Sequence, residues 1–177
     1  KEREINMKYK VLKKQNSSKT CLVCGVKNDL GLKARFYQLE NGELVSIFNS
    51  KEFHQSYPGR VHGGISAAIL DETIGRAISV SDETVWGVTG SLELRYKKPV
   101  PIDCDLITVA RVTRDTRKLF EGEGEIILPN GEIAVTAKAK YVKMPLEKIA
   151  DECDMAEEWL PIPDDEPVEY IEIPGRC

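Results

Sequence analysis

The sequence lacks any apolar run that approaches the roughly 20 residues needed to cross a lipid bilayer. Residues 1–16 are rich in lysine and contain no long apolar stretch, so they do not resemble a secretory signal peptide. From these absences we expect no membrane partner and a cytoplasmic location. The 177 residues suit one domain with extensions at its ends.

Cysteine is scarce and scattered. The five cysteines are Cys21, Cys24, Cys104, Cys153 and Cys177. An odd number at such spacing does not predict a compact disulfide framework, so we expect reduced thiols. Cys21 and Cys24 form half of a zinc motif, but no second pair follows. Even with His54 as a third ligand the set lacks a fourth, and we therefore predict no metal site.

A basic face is also missing. The net charge of -4 divides into a basic segment at residues 1–20, a neutral middle at residues 21–145 and an acidic segment at residues 146–177. The neutral middle gives little support for a nucleic-acid partner, which needs a basic surface on the folded domain. The two oppositely charged ends could meet each other.

The middle of the chain contains short β-type runs and one helix-forming run. Residues 32–39 and 43–49 flank Asn41-Gly42, a dipeptide typical of tight hairpin turns. Residues 65–80 suit a helix whose apolar side chains cover more than one face, so we expect it to be mostly buried. Four further strands are predicted at residues 85–96, 105–113, 119–128 and 132–142. This order predicts an α+β fold, in which a curved antiparallel sheet wraps around one long central helix.

The two ends differ from this middle in composition. We expect residues 1–20 to be a basic N-terminal extension and residues 21–145 to be the folded domain. Residues 146–159 could form an acidic helix, and the proline-rich residues 161–177 could form an extended arm. Acidic tails of this kind commonly solvate or cover a surface.

A glycine pair lies where the loop enters the predicted helix, in His62-Gly63-Gly64. The first turn of a helix presents unpaired N–H groups and the positive end of the helix dipole, and glycine lets a ligand approach that backbone closely. An acyl carbonyl placed there would have its developing negative charge stabilised by roughly 3 to 4 kcal/mol per good donor. The simpler alternative is that the glycines only relieve a tight turn.

A carboxylate lies inside the apolar helix run. Asp71, among Ile69, Leu70 and Ile74, would lose hydration, which is costly unless the group is paired or protonated. Such carboxylates are enriched at active sites, so we predict that Asp71 is the catalytic carboxylate. For its neighbour Glu72 we favour a solvated position paired with Arg76, four residues later.

The glycine pair and this carboxylate cannot meet within one chain. Gly64 and Asp71 are seven residues apart, or roughly 10 Å along a helix, which is too far for both to touch one carbonyl carbon. A two-fold dimer would set the helix N-terminus of one subunit against the carboxylate of the other and create two complete sites. We therefore expect a homodimer, and a tetramer stays open.

The run from His62 to Glu72 resembles the HGG-x6-D helix of hotdog-fold thioesterases of the PaaI-like group. The resemblance extends over about residues 21–145, and it includes the CxxCG opening at residues 21–25, the segment 88–90 and the segment 94–101. It implies the hotdog fold, a homodimer with sites at its interface, and hydrolysis of an acyl-CoA thioester with no metal and no cofactor.

The resemblance also assigns roles to individual residues. Asp71 matches the catalytic carboxylate, which acts as general base on water or as nucleophile. Gly64, together with Gly63, matches the backbone oxyanion donor. His62 matches a histidine that orients the loop or contacts the thioester. The strand segment Thr89, Gly90 and Ser91 would lie beside the acyl-pantetheine.

Two other functions stay open. A hydratase or dehydratase of acyl thioesters needs a histidine and an acid as a proton-transfer pair, and only His54 and His62 are available. We expect His54 in a loop near the pocket entrance, where it could contact substrate. The second alternative is a protein that binds or senses acyl-CoA without turnover.

Overall fold

The computed structural model describes residues 6–150 and 154–175. Within these ranges the chain forms ten strands and three α-helices. The strands are β1 (Met7–Lys14), β2 (Ser17–Ser18), β3 (Arg35–Leu39), β4 (Leu44–Asn49), β5 (Gly87–Tyr96), β6 (Asp105–Asp115), β7 (Leu119–Ile127), β8 (Ile133–Lys143), β9 (Trp159–Leu160) and β10 (Tyr170–Ile173). The helices are α1 (Gly63–Arg76), which continues as a 3-10 turn over Ala77–Val80, α2 (Leu146–Ile149) and α3 (Met155–Glu158).

Eight strands form one antiparallel sheet in the order β10-β1-β3-β4-β6-β7-β8-β5, and β2 pairs with β9. The predicted first hairpin is confirmed by the pairing of β3 with β4, and Gly42 has the positive φ of 83° that its tight turn requires. The four later strands are confirmed with ends shifted by a few residues. The helix α1 packs against β4 to β8, so the sheet wraps around it as the sequence predicts.

The buried side of α1 explains why the sheet must curve. Ile69, Leu70 and Ile74 are fully buried, and they join one core with Phe36 of β3 and Phe120 of β7. Burial of each such side chain stabilises the fold by about 1.5–3 kcal/mol. A helix that is apolar over more than one face needs sheet on several sides, and the five strands β4 to β8 provide it.

The outer face of the sheet has a second core. Tyr37 and Val45 project to the side opposite Phe36, because successive strand residues alternate between faces, and Ile171 and Ile173 of β10 cover them. Asp164 precedes β10 in the chain and forms an ion pair with Lys14 of β1, with 2.5 Å between Oδ1 and Nζ. The basic and acidic ends of the chain therefore do meet.

The prediction of one acidic helix over residues 146–159 is wrong. The helix α2 ends at Ile149, because Ala150 is extended with φ -103° and ψ 148°. A second four-residue helix begins at Met155, and Trp159 belongs to a strand. Residues 151–153, including Cys153, and the final residues 176–177, including Cys177, lie outside the described part of the chain.

The division into three segments stays a prediction. The strands β1 and β10 join the main sheet from outside the range 21–145, so the proline-rich arm contributes a strand as well as extended chain. Cys21, Cys24 and Cys104 are free thiols. Among the described residues, none of the helices combines the length and the apolar character that a membrane span requires.

Candidate active site

The carboxylate of Asp71 is held by two hydroxyl groups. The hydroxyl of Thr89 donates to it, with Oγ1 lying 2.9 Å from Oδ1 and 3.2 Å from Oδ2. The Tyr141 hydroxyl lies 3.0 Å from Oδ1 and 2.8 Å from the backbone carbonyl of Asp71. The side chain of Asp71 is half-buried. Its charge is therefore fixed in one orientation and compensated by hydrogen bonds, as a partly desolvated carboxylate requires.

A β-bulge places Thr89 opposite Tyr141. Thr89 of β5 pairs with Tyr141 of β8, and the next pair joins Ser91 to Lys140, so Gly90 is the extra residue. Bulges of this kind re-aim side chains and are common beside active sites. Of the three strand residues expected beside the substrate, only Thr89 contacts Asp71, and Gly90 and Ser91 are exposed next to it.

Tyr141 is a site residue that sequence analysis missed. Its ring is buried and stacks on Phe120, with ring centroids 4.8 Å apart. Burial, together with the negative charge of Asp71, raises the pKa of Tyr141, so its hydroxyl stays protonated and available as a donor. Alternation along β8 identifies Tyr141 as an inward-facing residue, but its partner on α1 depends on tertiary packing.

The segment His62-Gly63-Gly64 forms the N-terminal cap of α1. The imidazole Nδ1 of His62 accepts a hydrogen bond of 2.9 Å from the Gly64 N–H. The expected oxyanion donor is therefore engaged by a cap within the same chain. The hydroxyl of Tyr96 donates to the carbonyl of Gly63 at 2.8 Å and supports the same turn. The role of His62 in orienting the loop or contacting the thioester stays a prediction.

His54, which we expect near a pocket entrance, lies in a short 3-10 turn over Glu52–His54. It is 4% exposed, and its Nδ1 accepts a hydrogen bond of 2.9 Å from the Lys51 N–H. Its Nε2 lies 2.8 Å from the carbonyl of Leu30, so this nitrogen is the donor. Both ring nitrogens are used to join two loops, and neither points to Asp71.

A cavity of about 450 Å³ lies over Asp71. Thr89 and Tyr141 line it together with the aromatic residues Trp86 and Trp159, whose rings meet edge to face with centroids 5.6 Å apart. Segments from both ends of the chain complete the wall. Their lining residues are Lys13, Gln15, Asn16, Ser18 and Trp159.

The next residue on α1 faces a different cluster. Glu72 forms the predicted pair with Arg76, with Nε and Oε1 2.8 Å apart. Its other oxygen lies 3.9 Å from the sulfur of Cys21. A hydrogen bond from Cys24 lowers the pKa of Cys21 to about 6, and the same bond together with burial raises the pKa of Cys24. Glu72 and Asp71 are adjacent on α1, but their carboxylates contact different side chains.

Comparison with known proteins matches residues 58–135 to the thioesterase superfamily. The mouse acyl-coenzyme A thioesterase THEM4 is 30% identical over 116 residues, which is 65% of this chain and 49% of the mouse protein. The human acyl-coenzyme A thioesterase THEM5 is 32% identical over 68 residues, covering 38% of this chain and 27% of the human protein. The chain thus spans about half or less of the length of these curated relatives.

Solved structures agree on the architecture. A crystal structure of a thioesterase superfamily protein has a TM-score of 0.64 and 26% identity, covering 69% of this chain and 59% of that one. The E. coli PaaI protein from the phenylacetic acid degradation operon has a TM-score of 0.58 and 14% identity, and the match covers 64% of this chain and 80% of the PaaI chain. At that identity the likeness shows the fold alone.

A curved antiparallel sheet around one long helix, with a carboxylate held on that helix, defines a hotdog-fold protein. Within this class, residues 58–135 are similar to the thioesterase superfamily.

Proposed function

We propose that this protein is an acyl-CoA thioesterase, which hydrolyses a CoA thioester to a free acid and CoA. The observation that carries the proposal is the half-buried carboxylate of Asp71, which is held by Thr89 and Tyr141 beside a cavity. The names of the mouse and human relatives as acyl-coenzyme A thioesterases support this choice of substrate class.

Asp71 would act on water or on the thioester carbonyl itself. As a general base it takes a proton from the attacking water; as a nucleophile it forms a mixed anhydride that water then opens. In both routes the bond between the acyl carbon and sulfur breaks, and CoA leaves as the thiol. The hydrogen bonds from Thr89 and Tyr141 support both routes, because they hold the carboxylate in one orientation.

The oxyanion donor would come from the first turn of α1 in a second subunit. Within one chain, Gly64 is too far along the helix from Asp71. In this proposal the thioester oxygen takes the place of the His62 ring at the Gly64 N–H, with Gly63 as the neighbouring donor. His62 then orients the loop and exchanges its hydrogen bond when substrate arrives.

A homodimer is the simplest assembly that supplies this geometry. The strand β5 ends the sheet, so among the described residues it pairs on one side only, where nine of its ten positions face β8. Such a long edge is a template for pairing with a second copy. Most of its side chains are exposed or half-exposed. Two β5 edges joined across a two-fold axis would bring both α1 helices together.

The cavity over Asp71 has the size expected for part of a substrate. Pockets for small molecules measure about 300–1,000 Å³, so about 450 Å³ suits the acyl group and leaves the nucleotide of CoA outside. Trp86 and Trp159 give its wall an aromatic character, and the strand residues Thr89, Gly90 and Ser91 would run beside the pantetheine. Both aromatic and aliphatic acyl groups would fit such a wall.

The hydratase alternative loses support from the positions of the histidines. Both histidines lie within the described residues; His54 is engaged by backbone and His62 caps α1, and neither lines the cavity. A binding protein without turnover keeps the same contacts. Such a binding protein differs from a thioesterase only in that it releases no free acid and no CoA.

The test is product analysis with a panel of aromatic and aliphatic acyl-CoA esters. We expect the ultraviolet absorbance of the thioester to fall and chromatography to detect CoA and free acid in equal amounts. Absorbance is preferred to a thiol reagent, which would also react with Cys21. A hydrated thioester with no CoA release would identify a hydratase, and thermal protection by every ester without release would identify a binding protein. The cytoplasmic location stays a prediction that cell fractionation would test.

A further inference from the structure

The loop at residues 21–25 brings two thiols against α1 at the edge of the Asp71 cavity. The sulfur atoms of Cys21 and Cys24 and a carboxylate oxygen of Glu72 all lie within 4.8 Å of one another. Cys21 and Glu72 also line the cavity, whereas Cys24 is buried behind them. The sequence offers at most His54 as a third ligand and predicts no metal site, whereas the fold places Glu72 beside the two thiols.

The backbone of this loop is shaped around the two sulfur atoms. The N–H of Val23 donates to the sulfur of Cys21 at 3.2 Å, and the N–H of Ser18 donates to the sulfur of Cys24 at 3.3 Å. Hydrogen bonds of this kind favour the thiolate, which is the form that binds metal. The turn requires glycine at residue 25, because a Cβ there would collide with the backbone carbonyl oxygen of Cys21.

Arg76 holds two of the three donors in place. Its Nη2 lies 3.0 Å from the sulfur of Cys24 and its Nε lies 2.8 Å from Oε1 of Glu72. The guanidinium is itself fixed between the rings of Phe36 and Trp159, at 4.3 and 4.4 Å from their centroids. Metal ligands are commonly oriented by such outer hydrogen bonds.

Charge counting favours a divalent cation in the cluster. Once metal binding has displaced the thiol protons, two thiolates and one carboxylate carry three negative charges, and Arg76 balances one of them. A cation of charge two would balance the rest. Thiolate sulfur with one carboxylate is a donor set that suits zinc, which also accepts three protein ligands and a water molecule.

We infer that Cys21, Cys24 and Glu72 bind Zn²⁺ or a similar thiophilic divalent cation, with water as the fourth ligand on the cavity side. The metal would join the loop at residues 21–25 to α1 at the residue next to Asp71. The inference does not rest on thioesterase activity, because metal binding and stability can be measured without substrate.

The experiment measures metal in the full chain, purified without a histidine tag, after reduction and removal of metal. We expect one Zn²⁺ per chain by elemental analysis after titration, and a rise in Tm on binding. Co²⁺ should give an absorption band from thiolate-to-cobalt charge transfer, which only sulfur ligation produces. Zn²⁺ should also protect Cys21 and Cys24 from alkylation, as measured by peptide mass spectrometry.

The variants Cys21→Ser and Glu72→Gln should each weaken Zn²⁺ binding, and Cys21→Ser should weaken the charge-transfer band. The matched control Cys104→Ser removes a free thiol elsewhere and should leave binding unchanged. Cys24 is buried, so Cys24→Ser can disturb folding. Its metal binding is therefore compared with wild type only if its circular dichroism spectrum is unchanged. Failure of the reduced wild type to bind Zn²⁺ or Co²⁺ would overturn the inference, and so would full binding retained in Cys21→Ser.

Discussion

The hydroxyl of Tyr141 lies 3.0 Å from Oδ1 of Asp71 and 2.8 Å from the backbone carbonyl of the same residue. One side chain of β8 thus fixes both the carboxylate and the helical turn that carries it. Tyr141 is buried and its pKa is raised, so it remains a donor throughout the neutral range. We regard Tyr141 as a positioning residue for Asp71.

Removing this hydroxyl should slow catalysis with little effect on substrate binding. A hydrogen bond to a charged group is worth about 1.5–3 kcal/mol, so Tyr141→Phe should lower kcat by about 10- to 100-fold with a similar KM. Steady-state kinetics would measure kcat and KM separately, with the exposed Tyr170→Phe as control. An unchanged kcat in Tyr141→Phe would contradict this role for Tyr141.

Thr89 offers an independent test of the same carboxylate. Thr89→Val keeps the shape of the side chain but removes the donor to Oδ1, so kcat should fall. Thr89→Ser should restore most of it, because it restores the hydroxyl. The matched control is Thr113→Val, at an exposed position on β6. Equal rates for the Val and Ser variants would show that shape matters at residue 89 and the hydrogen bond does not.

His62 should contribute to stability more than to chemistry. Its Nδ1 caps α1, and loss of an N-cap costs about 1 kcal/mol, so His62→Ala should lower the free energy of unfolding by about that amount in urea. His62→Asn should recover the cap. If His62 only orients the loop, kcat of His62→Ala should fall by less than about 100-fold. A larger fall with normal stability would assign it a proton-transfer role.

The interface site can be tested by mixing two inactive variants. Asp71→Asn removes the carboxylate, and Gly64→Pro removes the Gly64 N–H in the first turn of α1, together with its hydrogen bond to His62. If one site uses Asp71 of one subunit and Gly64 of the other, a mixed dimer contains one intact site. Activity should therefore return after unfolding and refolding the variants together. No recovery, with mixed dimers shown by native mass spectrometry, would contradict the interface site.

The local parts of the fold and site could be predicted from sequence. The β3–β4 hairpin follows from Asn41-Gly42. The apolar run around Asp71 predicts a partly desolvated carboxylate, and its catalytic role stays a prediction. Tyr141 could not be found this way, since it meets Asp71 across 70 residues of chain. Pairing of this kind is decided by sheet curvature and by the bulge at Gly90.

The C-terminal segment shows the limit of composition. Its acidic and proline-rich sequence predicts an extended arm that solvates or covers a surface, but composition does not say which surface. In the structure Ile171 and Ile173 cover the outer face of the sheet. Trp159 similarly joins the cavity wall, where it meets Trp86. A few apolar residues within a polar stretch are enough to dock it once the sheet presents an apolar face, and that face forms only after folding.

The most direct test of the account compares wild type with Asp71→Asn on the best ester of the panel, with thermal protection by the same ester as a binding measurement. We predict a loss of at least about 100-fold in kcat, the lower end expected for removal of a general base, with protection retained. Asp165→Asn, an exposed control in the C-terminal segment, should keep the wild-type rate. A rate for Asp71→Asn close to that of wild type would contradict the assignment of Asp71 as the catalytic carboxylate.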